Sequence, residues 1–356
     1  MNGTEVSRLV YFGSQHKPQW LTDHSNKLPE IACGEVLVKV RLATICASDL
    51  RTISGKRSEC LPSILGHEAV CEIIEDKRVP EEEHRTVPLE NGTRVTFSAT
   101  VACSECSTCR LGCPQKCKHL FKYGHAAITT GNGFSGCYAT HMILKRSTLI
   151  IPLPPEISDR VVAPANCALA TMVNAVEQAR TPATNRVVVV QGAGMLGLYA
   201  CALLRHKGYE RVLCCDNIQG RLAMVERFGG EPCQDLAMEP SAFADCVIEA
   251  CGNPNVLREG MSAIRYEGVY VWVGMIHPDS QLSITGEEVI RKCVTIKGVH
   301  NYHPRHLEEA VEFLKETFNQ YPYEDLLSQR SYNLKEFEDA ICVANSKTFH
   351  RVCISP

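Results

Sequence analysis

No apolar stretch in this 356-residue chain approaches the roughly 20 residues needed to cross a bilayer, so a membrane-spanning helix is not expected. The opening residues, MNGTEVSRLVYFG, hold neither an apolar h-region nor a cleavage site, and the expected location is therefore the cytoplasm. A surplus of positive charge is also missing. The formal net charge is -3, which argues against nucleic acid or an anionic membrane as a partner. Internal repeats and low-complexity segments are absent as well. What remains is the composition of a soluble globular protein, long enough for two domains or one large one.

Cysteine, by contrast, is plentiful at 20 residues. Cys201, Cys214, Cys215 and Cys246 fall within apolar runs, where a reduced thiol behaves as a small core hydrophobe. Cys103, Cys106, Cys109 and Cys117 differ. Their spacing, C-x2-C-x2-C-x7-C, lets four thiolates close a tetrahedral shell around one structural zinc ion. A disulfide cluster would need an oxidising compartment, to which this chain shows no route. Cys113 breaks the spacing and reads as a bystander.

Residues 1–160 read as strand-rich, with EVLVKVRLA and TRVTFSA among the short apolar runs and a surface loop expected around Glu81 to His84. The prolines of IPLPPEIS mark the expected domain boundary. Beyond it the pattern changes. NRVVVVQ, ERVLCCD, ADCVIEACG and GVYVWVG are continuous apolar runs, as expected of strands buried on both faces. Helical segments alternate with them, and LYACALLRHKG ends on basic residues and Gly208, as a helix C-terminus should. Residues 161–298 therefore read as an α/β domain with a parallel sheet. Residues 299–356 read as a third, mixed segment, including the amphipathic HLEEAVEFLKETF.

Between the first two of those apolar runs lies GAGMLG. Gly192, Gly194 and Gly197, with Met195 and Leu196 among them, form G-x-G-x-x-G in the strand–loop–helix setting that lets backbone approach a pyrophosphate. Asp216, followed by Asn217, ends the next strand, where a carboxylate accepts from a ribose 2′-hydroxyl and repels a 2′-phosphate. That favours NAD over NADP, although Arg221 could pair with a phosphate.

A second metal site is expected from Cys46 in TICASDL, His67 and Glu68 in LGHEAV, and Cys167 in APANCALAT. Catalytic zinc keeps three protein ligands and an open fourth position, and Cys46, His67 and Cys167 suit it. Asp49 could orient His67, and Glu68 could orient the site or ligate transiently. Taken singly, Cys46 could be a core thiol and His67 a satisfied buried histidine. Cys167 rests on the need for a third donor.

In this order these pieces resemble the zinc-dependent alcohol dehydrogenases of the medium-chain dehydrogenase/reductase superfamily. LGHE and APANCALAT are most similar to the branch associated with phosphonate catabolism. The resemblance implies a GroES-like β-rich catalytic domain with an inserted Rossmann domain and a C-terminal return, and an active site in the cleft between them. It implies two zinc ions and NAD. It makes Ser48 the acceptor of the substrate proton, and it puts Val273 and Gly274 of VGMIHPDSQLS, with Thr171, near the cofactor. Arg351 would reach the pyrophosphate. The chain departs from the family pattern at Ala47, where relatives carry a basic residue, and at Arg51, where they carry a histidine. A third departure is Cys71, in place of a glycine expected at a turn. The implied activity is oxidation of a small alcohol to an aldehyde or ketone by a homodimer or homotetramer, with Val269 to Val273 as the pairing edge. A polyol dehydrogenase and a relative that has lost catalysis are the alternatives. A zinc-finger nucleic-acid binder would need a basic surface and a small module, and neither is present.

Overall fold

The structure is a computed structural model that describes residues 6–14, 20–25, 27–79, 88–130, 133–179, 187–277 and 280–356. The loop expected around Glu81 to His84, and residues 278–279 of the VGMIHPDSQLS segment, lie outside the described residues. Among the described residues no helix is long and apolar enough to cross a membrane. The chain divides into two compact units. The first runs to Cys167 and takes up Leu314–Phe318 and Tyr323–Pro356, and the second holds Ala168–Phe313 and Asn319–Pro322. The first boundary thus falls a few residues later than position 160, and the C-terminal return begins at Leu314 rather than at 299.

The first unit is built on a 7-stranded sheet ordered Leu327–Tyr332, Arg351–Ile354, Val36–Thr44, Glu68–Asp76, Arg94–Phe97 and Ile150–Pro152, with His141–Leu144 also on Val36–Thr44. The central strand, VLVKVRLAT, alternates along its middle, with Val36, Val38 and Val40 buried and Lys39 and Arg41 exposed. Its inward face packs on Leu65, Ala69, Cys71, Ile73, Phe97 and Tyr138. Each such aliphatic side chain contributes about 1.5–3 kcal/mol on leaving water. The long antiparallel pairing of Val36–Thr44 with Glu68–Asp76 sets Thr44 opposite Glu68, and Cys46 follows two residues later.

Two expectations are corrected here. Ile150–Pro152 is not a break but an edge strand on Arg94–Phe97, a position that tolerates proline. Cys71 stands at no turn. It lies within Glu68–Asp76 in register with Val40 and Val95, so its side chain simply joins the core.

In the second unit six strands are parallel, in the order Glu231–Cys233, Arg211–Cys215, Val187–Gln191, Ala244–Glu249, Ile264–Trp272 and Thr295–Gly298. The first strand of the unit lies in the interior, with the order reversing beside it, as in a doubly wound dinucleotide fold. Val188, Val189 and Val190 are fully buried, as the continuous apolar run requires. The helix Met195–His206 follows the glycine loop and ends before Gly208, whose φ of +77° is the expected left-handed cap. Ile264–Trp272 is not a free edge. It pairs with Ala244–Glu249 on one side and Thr295–Gly298 on the other, so the outer strand is Thr295–Gly298.

Candidate active site

The four cysteines of the short lobe converge. Their sulfurs lie within 4.8 Å of one another. The separations include 3.4 Å for Cys103–Cys117, 3.5 Å for Cys106–Cys109 and 3.9 Å for Cys106–Cys117. A Zn–S bond of about 2.3 Å places tetrahedral sulfurs about 3.8 Å apart, so the cage has the size a zinc ion needs. Backbone N–H groups of Cys103 and His119 donate to Cys117 Sγ, and that of Cys106 donates to Cys103 Sγ. Cys113 is exposed and outside the cage.

A second group gathers Cys46, His67, Glu68 and Cys167, whose ligand atoms also lie within 4.8 Å of one another. Cys46 caps the short helix Ala47–Ile53. Its N–H donates to Asp49 Oδ2 at 2.9 Å, and Tyr138 Oη donates to the same oxygen at 2.9 Å. Asp49 Oδ1 stands 3.5 Å from His67 Nδ1, which leaves Nε2 as the ring nitrogen available to a metal. Although burial pulls the His67 pKa down, Asp49 and the Cys46 sulfur hold it up at about 10. Cys167, Arg351 and His67 pull the Cys46 thiol well below its ordinary value, while Cys46 pushes Cys167 up. A divalent cation held by both sulfurs would favour both as thiolates. Cys167 itself rides on a π-helical turn, Ala165–Leu169, a form often found at functional positions. Within that turn Asn166 Nδ2 donates to the His67 carbonyl at 2.9 Å and to the Phe97 carbonyl at 3.0 Å, fixing Cys167 against the histidine segment.

Ser48 Oγ is buried and has no hydrogen-bond partner. A buried hydroxyl left unsatisfied is costly unless a ligand completes it. Ala47 is exposed at the start of the helix, and Arg51 is half-buried in its last turn.

Arg351 requires a correction. Expected at a pyrophosphate, it is buried in the first unit and clamps Glu68, with Nε on Oε2 at 2.8 Å and Nη2 on Oε1 at 2.9 Å. Nη2 also lies 3.8 Å from Cys46 Sγ, and Nη1 donates to the His350 carbonyl. The pairing of the Arg351–Ile354 strand with Val36–Thr44 explains this, because it brings the chain end beside Glu68. Thr44 Oγ1 donates to the same carboxylate at 2.6 Å. Burial still raises the Glu68 pKa to about 7, against the pull of Arg351.

In the second unit the glycine loop has the cradle a dinucleotide needs. A Cβ on Gly197 would lie 1.7 Å from the Gly192 carbonyl oxygen, so helix and loop approach as only glycine allows. A Cβ on Gly194 would meet nothing within 4 Å, and no side chain caps the helix there. The first helical N–H groups, from Met195 and Leu196 onward, are thus left for an anion. Asp216 accepts from Ala193 N–H at 2.8 Å and from Ile218 N–H at 2.9 Å, and Arg221 lies 3.7 Å away. The carboxylate thus ties the loop to the neighbouring strand end, with exposed Asn217 next to it. Thr171 is half-buried in the first turn of the helix Ala170–Gln178.

The profile described as "Glucose dehydrogenase C-terminus" matches residues 165–349, and "Alcohol dehydrogenase GroES-like domain" matches residues 32–155. The chain belongs to the zinc-type alcohol dehydrogenases of the medium-chain dehydrogenase/reductase superfamily. It is 26% identical over 324 residues to 5-exo-hydroxycamphor dehydrogenase of Pseudomonas putida, covering 87% of this chain and 88% of that protein. It is 28% identical over 302 residues to L-threonine 3-dehydrogenase of Legionella pneumophila, covering 79% of this chain and 81% of that one. The crystal structure of an alcohol dehydrogenase from Thermotoga maritima has the same fold, with a TM-score of 0.91 at 24% identity over 99% of this chain and 100% of that one.

Several residues of this dehydrogenase escape sequence reasoning. Glu249 is fully buried, and its carboxylate accepts from the N–H groups of Cys251, Gly252, Gly274 and Met275. It therefore fixes the Val273–Gly274 turn, which the family resemblance assigns to the cofactor. His125 is buried with its ring 5.0 Å from that of His67. Its Nδ1 lies 2.7 Å from Glu59 Oε1, on which Arg57 also rests at 2.6 Å. Nothing in the local sequence of either residue signals these roles, since each partner is distant along the chain or belongs to backbone.

Proposed function

We propose that this dehydrogenase oxidises a small alcohol to an aldehyde or ketone, with NAD as hydride acceptor and catalysis at a zinc ion held by Cys46, His67 and Cys167. The observation that carries this reading is the convergence of those three donors, with the Ser48 hydroxyl, two residues after Cys46, buried and unpartnered. Zinc held there by Cys46, His67 and Cys167 would supply Lewis-acid chemistry.

The chain's own groups do the rest. Asp49 Oδ1 faces His67 Nδ1 at 3.5 Å, which favours the other ring nitrogen as the metal donor. Ser48, two residues after Cys46, would accept the substrate hydroxyl proton. Arg351 and Thr44 keep the Glu68 carboxylate occupied, which suits it to orienting the site rather than to permanent ligation. In the second unit the open face at Gly194 suits a pyrophosphate, and the Asp216 carboxylate disfavours a 2′-phosphate, which supports NAD. The cofactor carries the redox chemistry, and the protein supplies position and electrostatics.

Ser48→Ala tests the reading. It is expected to lower kcat by roughly 10²–10⁴-fold, with metal content and NAD affinity retained. An unchanged kcat would remove Ser48 from the proton path.

A further inference from the structure

Cys215 and Cys233 end two neighbouring parallel strands, Arg211–Cys215 and Glu231–Cys233, and are partners in their register. Directly paired residues share one face of a sheet, and neighbouring strands lie about 4.8 Å apart. That spacing falls within the roughly 4.4–6.8 Å between Cα atoms that a disulfide spans. Both thiols are free, and both pack in the apolar cluster around Val189, Leu213 and Val247.

On this face Cys233 lines a cavity of about 400 Å³, together with Arg211, Glu231, Asp235 and Glu239. Three carboxylates stand there against one guanidinium, which is itself paired with Glu231 at 2.9 Å and with Glu239 at 3.0 Å. An acidic wall of this kind favours a cationic visitor. Thiolate is the attacking form of cysteine, and the Cys215 thiol pulls the Cys233 pKa below its ordinary value.

The same strand end carries the glycine loop. Gly192 N–H donates to the Cys215 carbonyl at 2.7 Å. Asp216, the next residue, accepts from Ala193 N–H at 2.8 Å. A displacement of Cys215 is therefore passed directly to the start of the loop.

We infer that Cys233 and Cys215 form a redox-active dithiol that exchanges with a small cationic disulfide in this cavity, and that its closure weakens cofactor binding at the glycine loop. The Cys233 thiolate attacks one sulfur of the small disulfide and expels the other as a thiolate, leaving a mixed disulfide on Cys233. Cys215 then attacks Cys233 Sγ and expels the second small thiolate. Two protein thiols are oxidised, the small disulfide is reduced to two thiols, and the protons lost by the cysteines go to the released thiolates. The effect on cofactor binding rests on the dehydrogenase reading above, whereas the dithiol stands apart from it.

The test treats zinc-loaded protein with cystamine, and in parallel with the anionic glutathione disulfide, followed by peptide mapping by mass spectrometry. The parent is expected to yield a Cys215–Cys233 disulfide, faster with cystamine. Cys215→Ser is expected to stop at a mixed disulfide on Cys233. Calorimetric affinity for NAD is expected to fall at least about fivefold on closure, the lower end of ordinary coupling between sites, and to return with dithiothreitol. Cys233→Ser should keep its NAD affinity through the same treatment. Absence of the Cys215–Cys233 disulfide in the treated parent would overturn the inference, as would an equal loss of affinity in Cys233→Ser. Faster reaction with glutathione disulfide would overturn the choice of a cationic reagent, and closure with unchanged NAD affinity would overturn the link to the loop. Closure in a protein whose reduced form binds no NAD would leave the dithiol standing and sink the cofactor reading.

Discussion

Cys46→Ser is expected to lower the zinc content from about two ions per chain to about one, and to cut turnover by on the order of a thousandfold or more. The chain should stay folded. The lobe of Cys103, Cys106, Cys109 and Cys117 is a separate cage with its own backbone donors, and it is expected to retain a zinc ion. The substitution removes the sulfur at the junction of three interactions: Cys167 beside it, the His67 ring, and the Arg351 guanidinium at 3.8 Å. Metal analysis together with circular dichroism checks the outcome. Full activity in a variant holding one zinc per chain would show that the Cys46 cluster is not the reacting centre.

The second large effect is on stability. Arg351→Met leaves the Glu68 carboxylate fully buried with only the Thr44 hydroxyl to satisfy it. Breaking one side of a buried ion pair costs about 3–5 kcal/mol, a substantial part of an ordinary stability of about 5–15 kcal/mol. The double variant with Glu68→Gln should recover much of that loss, because no lone charge then remains buried. Denaturant titration of the single and double variants reads both numbers. A single variant as stable as the parent would show that Glu68 and Arg351 do not depend on each other. Arg351→Lys should fall between, since an ammonium group cannot reproduce the two parallel bonds at 2.8 and 2.9 Å.

The parts legible in the sequence are those whose chemistry is local. Cys103 to Cys117 lie in one short run, so their spacing alone implies a cage. Val187–Gln191, the glycine loop and Asp216 follow each other through one strand–loop–helix–strand passage, and each constrains the next. The strand-rich first unit follows from short apolar runs and the parallel sheet from continuous ones, while the GroES-like character of the first is what the family resemblance implies. What stays hidden depends on pairing between distant segments. Arg351 meets Glu68 only because the last strand returns to Val36–Thr44. Pro152 reads as a break until its strand is seen to be an edge. Ile264–Trp272 reads as an edge until Thr295–Gly298, short and only partly buried, is seen to pair outside it. Glu249 is a carboxylate inside an apolar run, and its meaning lies in backbone amides that no composition reveals.

The most direct test of the account is the initial rate of nicotinamide reduction by protein shown to hold two zinc ions per chain. It should be measured across primary and secondary alcohols, polyols and hydroxyalkyl acids, with NAD and NADP in parallel. The account predicts a clear rate with one substrate class, and a higher kcat/KM with NAD than with NADP because of Asp216. Silence across the whole panel from doubly zinc-loaded protein would contradict the dehydrogenase reading, and equal or better use of NADP would contradict the role given to Asp216.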